Sequence, residues 1–195
     1  MVTMSVDWEH IPAKHRQLIK AFLDEADMSA DAIKTVDFPP AYGADIIVSC
    51  EKAKDPKNGS IYLKPTQFVL GIGCRRDTAF ENIDRAIRQS LLKLQIDISD
   101  IDMIASIDVK KDEPGIKEFC ERNRIDFVTY TADELMAVQG EFSASQFVRE
   151  HVGVDNVCER AAVLVCSREC NKAGELIYKK HKYDRVTVAA ARYPD

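Results

Sequence analysis

Residues 68–76 read Phe68-Val69-Leu70-Gly71-Ile72-Gly73-Cys74-Arg75-Arg76, and this stretch decides the fold. Its first six positions hold no polar side chain and show no alternation. A strand with one wet face alternates apolar with polar; a strand covered on both faces is apolar throughout. The arginine pair ends the run just ahead of Phe80, Ile83, Ile87, Leu91 and Leu94, which recur three or four apart. That spacing predicts an amphipathic helix from about Phe80 to Leu94. A doubly buried strand running into such a helix is the first half of a β–α–β unit.

The same alternation continues toward the C-terminus. Ser99-Asp100 caps a turn, and a second strand is expected over Ile104 to Val109. Asp112-Glu113-Pro114 starts a helix that buries Ile116, Phe119 and Cys120, with proline in the first turn and acids beside it. Phe127-Val128-Thr129 reads as a third strand. Thr131-x-x-Glu134 and Ser143-x-x-Gln146 have the form of capping boxes, and Gly153 stops the second of these helices. Asn156-x-x-Glu159 opens an apolar helix through Ala161, Ala162, Leu164 and Val165. Leu176-Ile177-Tyr178 and Val186 to Ala190 close the chain as strands. The expected class is α/β: a mostly parallel sheet with helices on both faces.

Working back from Gln67, residues 1–66 look like a separate, small α/β segment, with 67–195 as the main domain. Leu18, Ile19, Phe22, Leu23 and Ala26 fall at helical spacing. Asp37-Phe38-Pro39-Pro40 and Gly43 break the chain. Ile46-Ile47-Val48 and Ile61-Tyr62-Leu63 read as short strands, with a polar loop over Lys52 to Ser60 between them.

Composition narrows the function. The net charge of −5 disfavours wholesale binding to nucleic acid or an anionic membrane, so an anionic ligand needs a local basic site. No apolar run approaches the roughly 20 residues of a membrane span, and Met1 to His10 lacks the apolar core of a signal peptide. The six cysteines include no C-x-x-C pair. Free thiols in a reduced, cytoplasmic protein are the expectation. Cys166-x-x-x-Cys170 has no second ligand pair, so no protein-held metal is expected.

In open α/β sheets ligands bind outside the carboxyl ends of strands, which selects four places. At the end of the first strand, Gly71 and Gly73 allow a close backbone approach, and the helix start beyond Cys74 favours an anion. Arg75 and Arg76 add forked donors for carboxylate or phosphate. The third glycine of a dinucleotide fingerprint and the Walker lysine are both missing, which excludes NAD and ATP as first choices. Cys74, beside arginines at a helix start, is expected to have a lowered pKa. At the end of the second strand, Ser106-x-Asp108-x-Lys110-Lys111-Asp112-Glu113 gathers a hydroxyl, three acids and two lysines. An acid beside lysines stays ionised and can act as a base. Ser143, Ser145 and the Glu150-His151 pair form the third place: the serines read first as caps, and His151 is a candidate base. With four histidines and no G-x-S-x-G, a serine-hydrolase triad is disfavoured. Lys179-Lys180-His181-Lys182, read as a turn between the last strands, is the fourth.

Four stretches in order resemble the C-terminal domain family of the cobalamin biosynthesis protein CbiG, which also includes CobE. They are Leu63–Arg76 (LKPTQFVLGIGCRR), Ala105–Gly115 (ASIDVKKDEPG), Ser145–Ala162 (SQFVREHVGVDNVCERAA) and Arg185–Arg192 (RVTVAAAR). The family often has glycine where Asp77 stands, and a Pro-Lys-x-Lys-like approach to the last strand where Lys179 to Lys182 stands. The resemblance implies a cobalt-precorrin-5A hydrolase that opens the ring-A δ-lactone and releases acetaldehyde, giving cobalt-precorrin-5B. The cobalt belongs to the corrinoid substrate, and no cofactor is expected. For such a reaction, position on the sheet and charge type make Asp108 or Glu113 the expected base, and Arg75 or Lys110 the stabiliser of developing charge. The Gly71–Cys74 backbone is a cradle, and Lys110 or His151 carries a proton. Arg76, Ser106 and Lys180 join the substrate contacts. Residues 1–66 resemble the family's central region more loosely, through Asp45–Cys50 (DIIVSC) leading to Leu63–Cys74, and the further N-terminal domain of full-length CbiG is expected to be missing from this stretch. A CobE-like corrinoid-binding or carrier module without chemistry is therefore the alternative. Other cobalamin-pathway enzymes, such as precorrin methyltransferases, and a second copy of the chain are the expected protein partners.

Overall fold

The computed structural model describes residues 2–27, 33–38, 44–49, 61–63, 65–144, 153–170 and 173–194. The chain divides into two compact units, one ending at Gln67 and the other spanning Phe68–Pro194.

The first unit contains β1 (Thr3–Val6), α1 (Ala13–Asp27), β2 (Lys34–Val36), β3 (Ile46–Val48) and β4 (Ile61–Leu63). All pairings in its sheet, ordered β2-β1-β3-β4, are parallel. β1 and β2 are absent from the sequence reading because Thr3-Met4-Ser5-Val6 and Lys34-Thr35-Val36 mix polar with apolar residues over too few positions for a period, whereas the equally short β3 and β4 stand out as unbroken apolar runs. Ile19 and Leu23 of α1 pack on Met4, Val6, Ile11 and Val48, while Leu18 and Phe22 are exposed. Helical spacing admits either column as the inner one; packing selects one. Just beyond β1, the buried Asp7 accepts a hydrogen bond from Ser49 Oγ at 2.9 Å and faces His10 Nδ1 at 2.9 Å. The breaks at Pro39-Pro40 and Gly43 and the Lys52–Ser60 loop lie outside the described residues.

The second unit runs β5 (Phe68–Cys74), α2 (Phe80–Leu94), β6 (Ile101–Ile107), α3 (Pro114–Asn123), β7 (Asp126–Tyr130), α4 (Ala132–Ala137), α5 (Val157–Cys170), β8 (Glu175–Lys182) and β9 (Val186–Arg192). The sheet order is β7-β6-β5-β9-β8. β5, β6 and β7 are mutually parallel, as the alternating pattern requires. β8 and β9 form an antiparallel hairpin that pairs antiparallel to β5. The sequence explains this feature in hindsight: residues 183–185 join β8 to β9, too few for the crossover that parallel neighbours need. The second strand spans Ile101–Ile107, and Asp108–Lys110 is a 3₁₀ turn rather than its last residues.

The two faces of β5 explain its unbroken apolar run. Leu70 and Ile72 enter a core with Ile83 and Ile87 of α2 and Ile116 and Phe119 of α3. The alternate residues face α5. Gly71 pairs with Ala105 of β6 and Ala189 of β9, making a row of minimal side chains. A Cβ on Gly71 would overlap the carbonyl oxygen of Cys158 and lie 2.6 Å from its carbonyl carbon. α5 thus rests its backbone directly on the sheet. Asn156 Oδ1 accepts from the Glu159 N–H at 2.9 Å to cap α5. Thr131 and Glu134 form the reciprocal capping box of α4. Among the described residues, no helix is long and apolar enough to cross a membrane.

Candidate functional site

The carboxyl ends of β5, β6 and β7 lie at one end of the sheet because the strands are parallel. The β8–β9 turn joins them there: Cys74, the last residue of β5, pairs with Val186, the first of β9. Three turns therefore meet, residues 74–78, 108–113 and 183–185.

Specific bonds hold them. Glu113 is buried, and both of its oxygens are engaged. Oε1 accepts from the Thr78 N–H at 2.9 Å, and Oε2 accepts from Lys110 Nζ at 2.9 Å. Glu113 precedes α3, with Pro114 as its first residue, yet its side chain makes no cap bond to that helix. It ties the α2 entry to the α3 entry instead. Thr78 Oγ1 donates to the Arg75 carbonyl at 2.7 Å and closes the turn. Gly115 packs on this turn, where a Cβ would collide with the Thr78 carbonyl oxygen. From the hairpin, the Arg185 carbonyl accepts from the Arg75 N–H at 3.0 Å. Arg185 Nη2 donates to the Arg76 carbonyl at 2.9 Å, and Asn82 Nδ2 donates to Asp184 Oδ2 at 3.1 Å.

The side chains left over define the chemistry. Arg75, Arg76, Asp77, Lys111 and Arg185 are exposed, and Asp108 is half-buried. Among the described residues the Asp108 carboxylate accepts no hydrogen bond. Lys110 is committed to Glu113 as an ion pair. The surface is mixed in sign, with Asp77, Asp112 and Asp184 beside the arginines. A uniform positive field is lacking there, and the exposed arginine forks are the groups whose geometry matches a carboxylate.

Several expectations change once the turns are assembled. Cys74 has its pKa pushed up to about 11. Burial dominates; Glu113 adds to it, and the opposing pull of Lys110 and Arg185 is smaller. The lowered value expected from a helix start ignored that Cys74 points into the α2–α3 core. Gly71 serves the contact with α5, as shown above, so it is not a ligand cradle. Gly73 differs, because a Cβ there would meet only the Thr187 hydroxyl, at 2.6 Å. Ser106 is fully buried and donates to the Ile72 carbonyl at 2.6 Å, which takes it out of reach of a substrate. Glu113 is buried with a bond on each oxygen, which fits it to hold the turns together.

Lys180 lies within β8 and not in a turn. Its N–H donates to Glu159 Oε1 at 2.6 Å, on the α5 side of the sheet. Its ammonium lies close enough to Cys158 to oppose the burial that pushes that thiol up to about 12. Ser143 also serves Glu159: its N–H and hydroxyl each donate to the carboxylate at 2.8 Å. Glu159 is fully buried. It fastens the Ser143 strand of chain and β8 to the start of α5. Ser145, Glu150 and His151 lie outside the described residues.

Thr78, Glu159 and Arg185 are what the residue-by-residue reading missed. A threonine two residues before a helix signals a cap but not a bond back to Arg75. Glu159 at the third position after Asn156 signals a capping box but not a tether to β8. Nothing local marks Arg185 as the residue that joins two turns.

Comparison with known proteins places the second unit in a family. The family described as "Cobalamin synthesis G C-terminus" matches residues 68–191, nearly the whole second unit. The chain belongs to that family. A cobalt-precorrin-5A hydrolase of Salmonella typhimurium is 38% identical over 126 residues, covering 65% of this chain and 34% of the relative. One from Priestia megaterium is 30% identical over 138 residues, covering 71% of this chain and 35% of the relative. The chain thus spans about a third of the length of these curated family members. Among solved structures, CobE, a protein from the cobalamin biosynthetic pathway, superposes with a TM-score of 0.62 at 26% identity. That match covers 66% of this chain and 91% of CobE.

Proposed function

We propose that this protein acts in cobalamin biosynthesis as a cobalt-precorrin-5A hydrolase, with the strand-end cluster of the second unit as the substrate site. The observation that carries the reading is the meeting of the 74–78, 108–113 and 183–185 turns. They gather exposed arginines and Asp108, whose carboxylate accepts no hydrogen bond among the described residues, at one end of the sheet. The names of the relatives support the substrate class, and a macrocycle bearing acetate and propionate arms suits arginine forks.

In this reading Arg75 and Arg76 hold substrate carboxylates. Asp108 takes a proton from water as its oxygen bonds to the lactone carbonyl carbon. The carbonyl π electrons move onto oxygen, where Arg75 balances the charge. Collapse of that intermediate breaks the ring C–O bond, leaving a carboxylic acid and an alkoxide. The alkoxide forms the aldehyde C=O as the adjacent C–C bond breaks. That electron pair passes to the macrocycle, which takes the proton held by Asp108 and restores the carboxylate, and acetaldehyde leaves. Glu113 and Lys110 are positioning residues that keep the two turns in register.

Incubating the protein with cobalt-precorrin-5A and trapping acetaldehyde tests the reading. Asp108→Asn is expected to reduce aldehyde formation by about 10²-fold or more, as for a lost general base, with substrate affinity preserved. Full activity in that variant removes Asp108 from the role. Corrinoid binding by the unmodified protein without any aldehyde refutes the hydrolase and favours a carrier. That second reading draws on the extent of the match to CobE.

A further inference from the structure

Two non-glycine residues at the strand-end cluster adopt left-handed backbone conformations, Asp77 at φ 54° and Arg185 at φ 61°. Such conformations come readily to glycine and to asparagine, and are uncommon for a long side chain. The same conformation at Gln95 and Arg124 ends α2 and α3, whereas Asp77 and Arg185 fall in the strand-end turns, where such strain can serve a site. Arg185 is also the knot between two turns: its carbonyl accepts from Arg75 and one guanidinium nitrogen donates to the Arg76 carbonyl. Its neighbour Asp184 is bonded to Asn82.

The arginines of this unit differ in how they are used. Arg88, Arg122, Arg160, Arg168 and Arg192 each pair with an acid. Arg75, Arg76 and Arg185 pair with no acid among the described residues and are exposed, as are Arg85 and Arg124, but only the first three lie on the strand-end turns. A guanidinium carries five N–H donors in a fixed fork. The single bond to the Arg76 carbonyl leaves Arg185 most of that fork. The bond also points the group at the Arg75–Arg76 turn, near enough for its charge to act on the Cys74 thiol.

We propose that Arg185 is the third arginine of the carboxylate-binding cluster. Its backbone and one nitrogen shape the Arg75–Asp77 turn, and its remaining N–H groups take a substrate carboxylate. The inference rests on the polycarboxylate reading above and adds a specificity residue to it. Three forks on adjoining turns favour a ligand with several carboxylates on one rim over a monocarboxylate.

The test is a fluorescence titration with uroporphyrin, a tetrapyrrole bearing eight carboxylates, with thermal unfolding recorded for each variant. Arg185→Gly relieves the left-handed strain and keeps the carbonyl that accepts from Arg75. It is expected to unfold at or above the wild-type temperature and to bind about tenfold more weakly, the loss of a charge-assisted hydrogen bond. Wild-type affinity in Arg185→Gly overturns the proposal. If Arg185→Gly instead unfolds early, Arg185→Lys decides, since it keeps the charge and removes the fork. Several-fold weaker binding with native unfolding then supports the proposal, and unchanged binding overturns it. Arg75→Glu separates the two layers of inference. Weak binding in Arg75→Glu with full binding in both Arg185 variants sinks only the role of Arg185. No binding by the wild type sinks the polycarboxylate reading and this proposal with it.

Discussion

Replacing Gly71 by alanine sets a methyl group against the backbone of α5. The new carbon would overlap the Cys158 carbonyl oxygen and stand 2.6 Å from its carbonyl carbon and 3.0 Å from its Cα. Non-bonded carbons prefer about 3.5–4.0 Å, so α5 must retreat by roughly 1 Å. The obstacle is main chain, and no rotamer change can absorb it. The helix packs over β5, β6, β8 and β9 at once, so the retreat loosens the whole face. Overpacking a well-filled core costs about 1–3 kcal/mol, and this geometry belongs at the upper end. For a unit of this size about 3 kcal/mol lowers the midpoint by roughly 10 °C. Calorimetry with a parallel urea titration measures it. Gly73→Ala is the internal control. Its methyl meets only the Thr187 hydroxyl, which can rotate away at the loss of one 3.2 Å bond to the Gly73 carbonyl. About 1 kcal/mol is expected there. Equal midpoints for wild type and Gly71→Ala would show that α5 does not rest on the sheet as described. A stable Gly71→Ala that lost only ligand binding would restore the cradle role that packing displaced.

Three further outcomes follow from the site. Glu113→Ala strands Lys110 beside the Thr78 N–H and is expected to cost about 3 kcal/mol, as removing one partner of a buried pair does. The double variant Lys110→Met/Glu113→Leu should recover much of that loss in denaturant unfolding, and an additive double loss contradicts the pairing. At pH 8 a thiol with a pKa of about 11 is ionised in about one molecule per thousand. Iodoacetamide should therefore label Cys74 far more slowly than free cysteine, and labelling at the free rate would contradict its burial. Glu134 is held at about 2 by the Thr131 backbone and hydroxyl and by Arg168, against an ordinary value of 4.5. Its stabilisation is complete above pH 4.5 and fades as pH falls toward 2. Glu134→Gln should flatten that part of the acid-unfolding curve, and an unchanged curve would mean the cap is not formed.

The sequence by itself determined what depends on neighbours along the chain. The unbroken run Phe68–Gly73 announced a doubly covered strand, and the spacing from Phe80 to Leu94 announced the helix after it. Pro114, Thr131 and Asn156 marked helix starts, because capping involves residues within one turn of each other. The gathering of Arg75, Arg76 and the 108–113 stretch at strand ends was also legible, since parallel strands share an end. What local pattern could not decide was direction and depth. Whether Cys74 faces solvent or core depends on the parity of β5 against α2 and α3. Whether Gly71 receives a ligand or a helix depends on where α5 returns. Whether Glu113 is a base or a tether depends on the Thr78 N–H, 35 positions away in sequence. Arg185 lies 109 positions from the carbonyl it grips. Contacts at such separations exist only once the sheet has been assembled, and so tertiary structure alone assigned these side chains their partners.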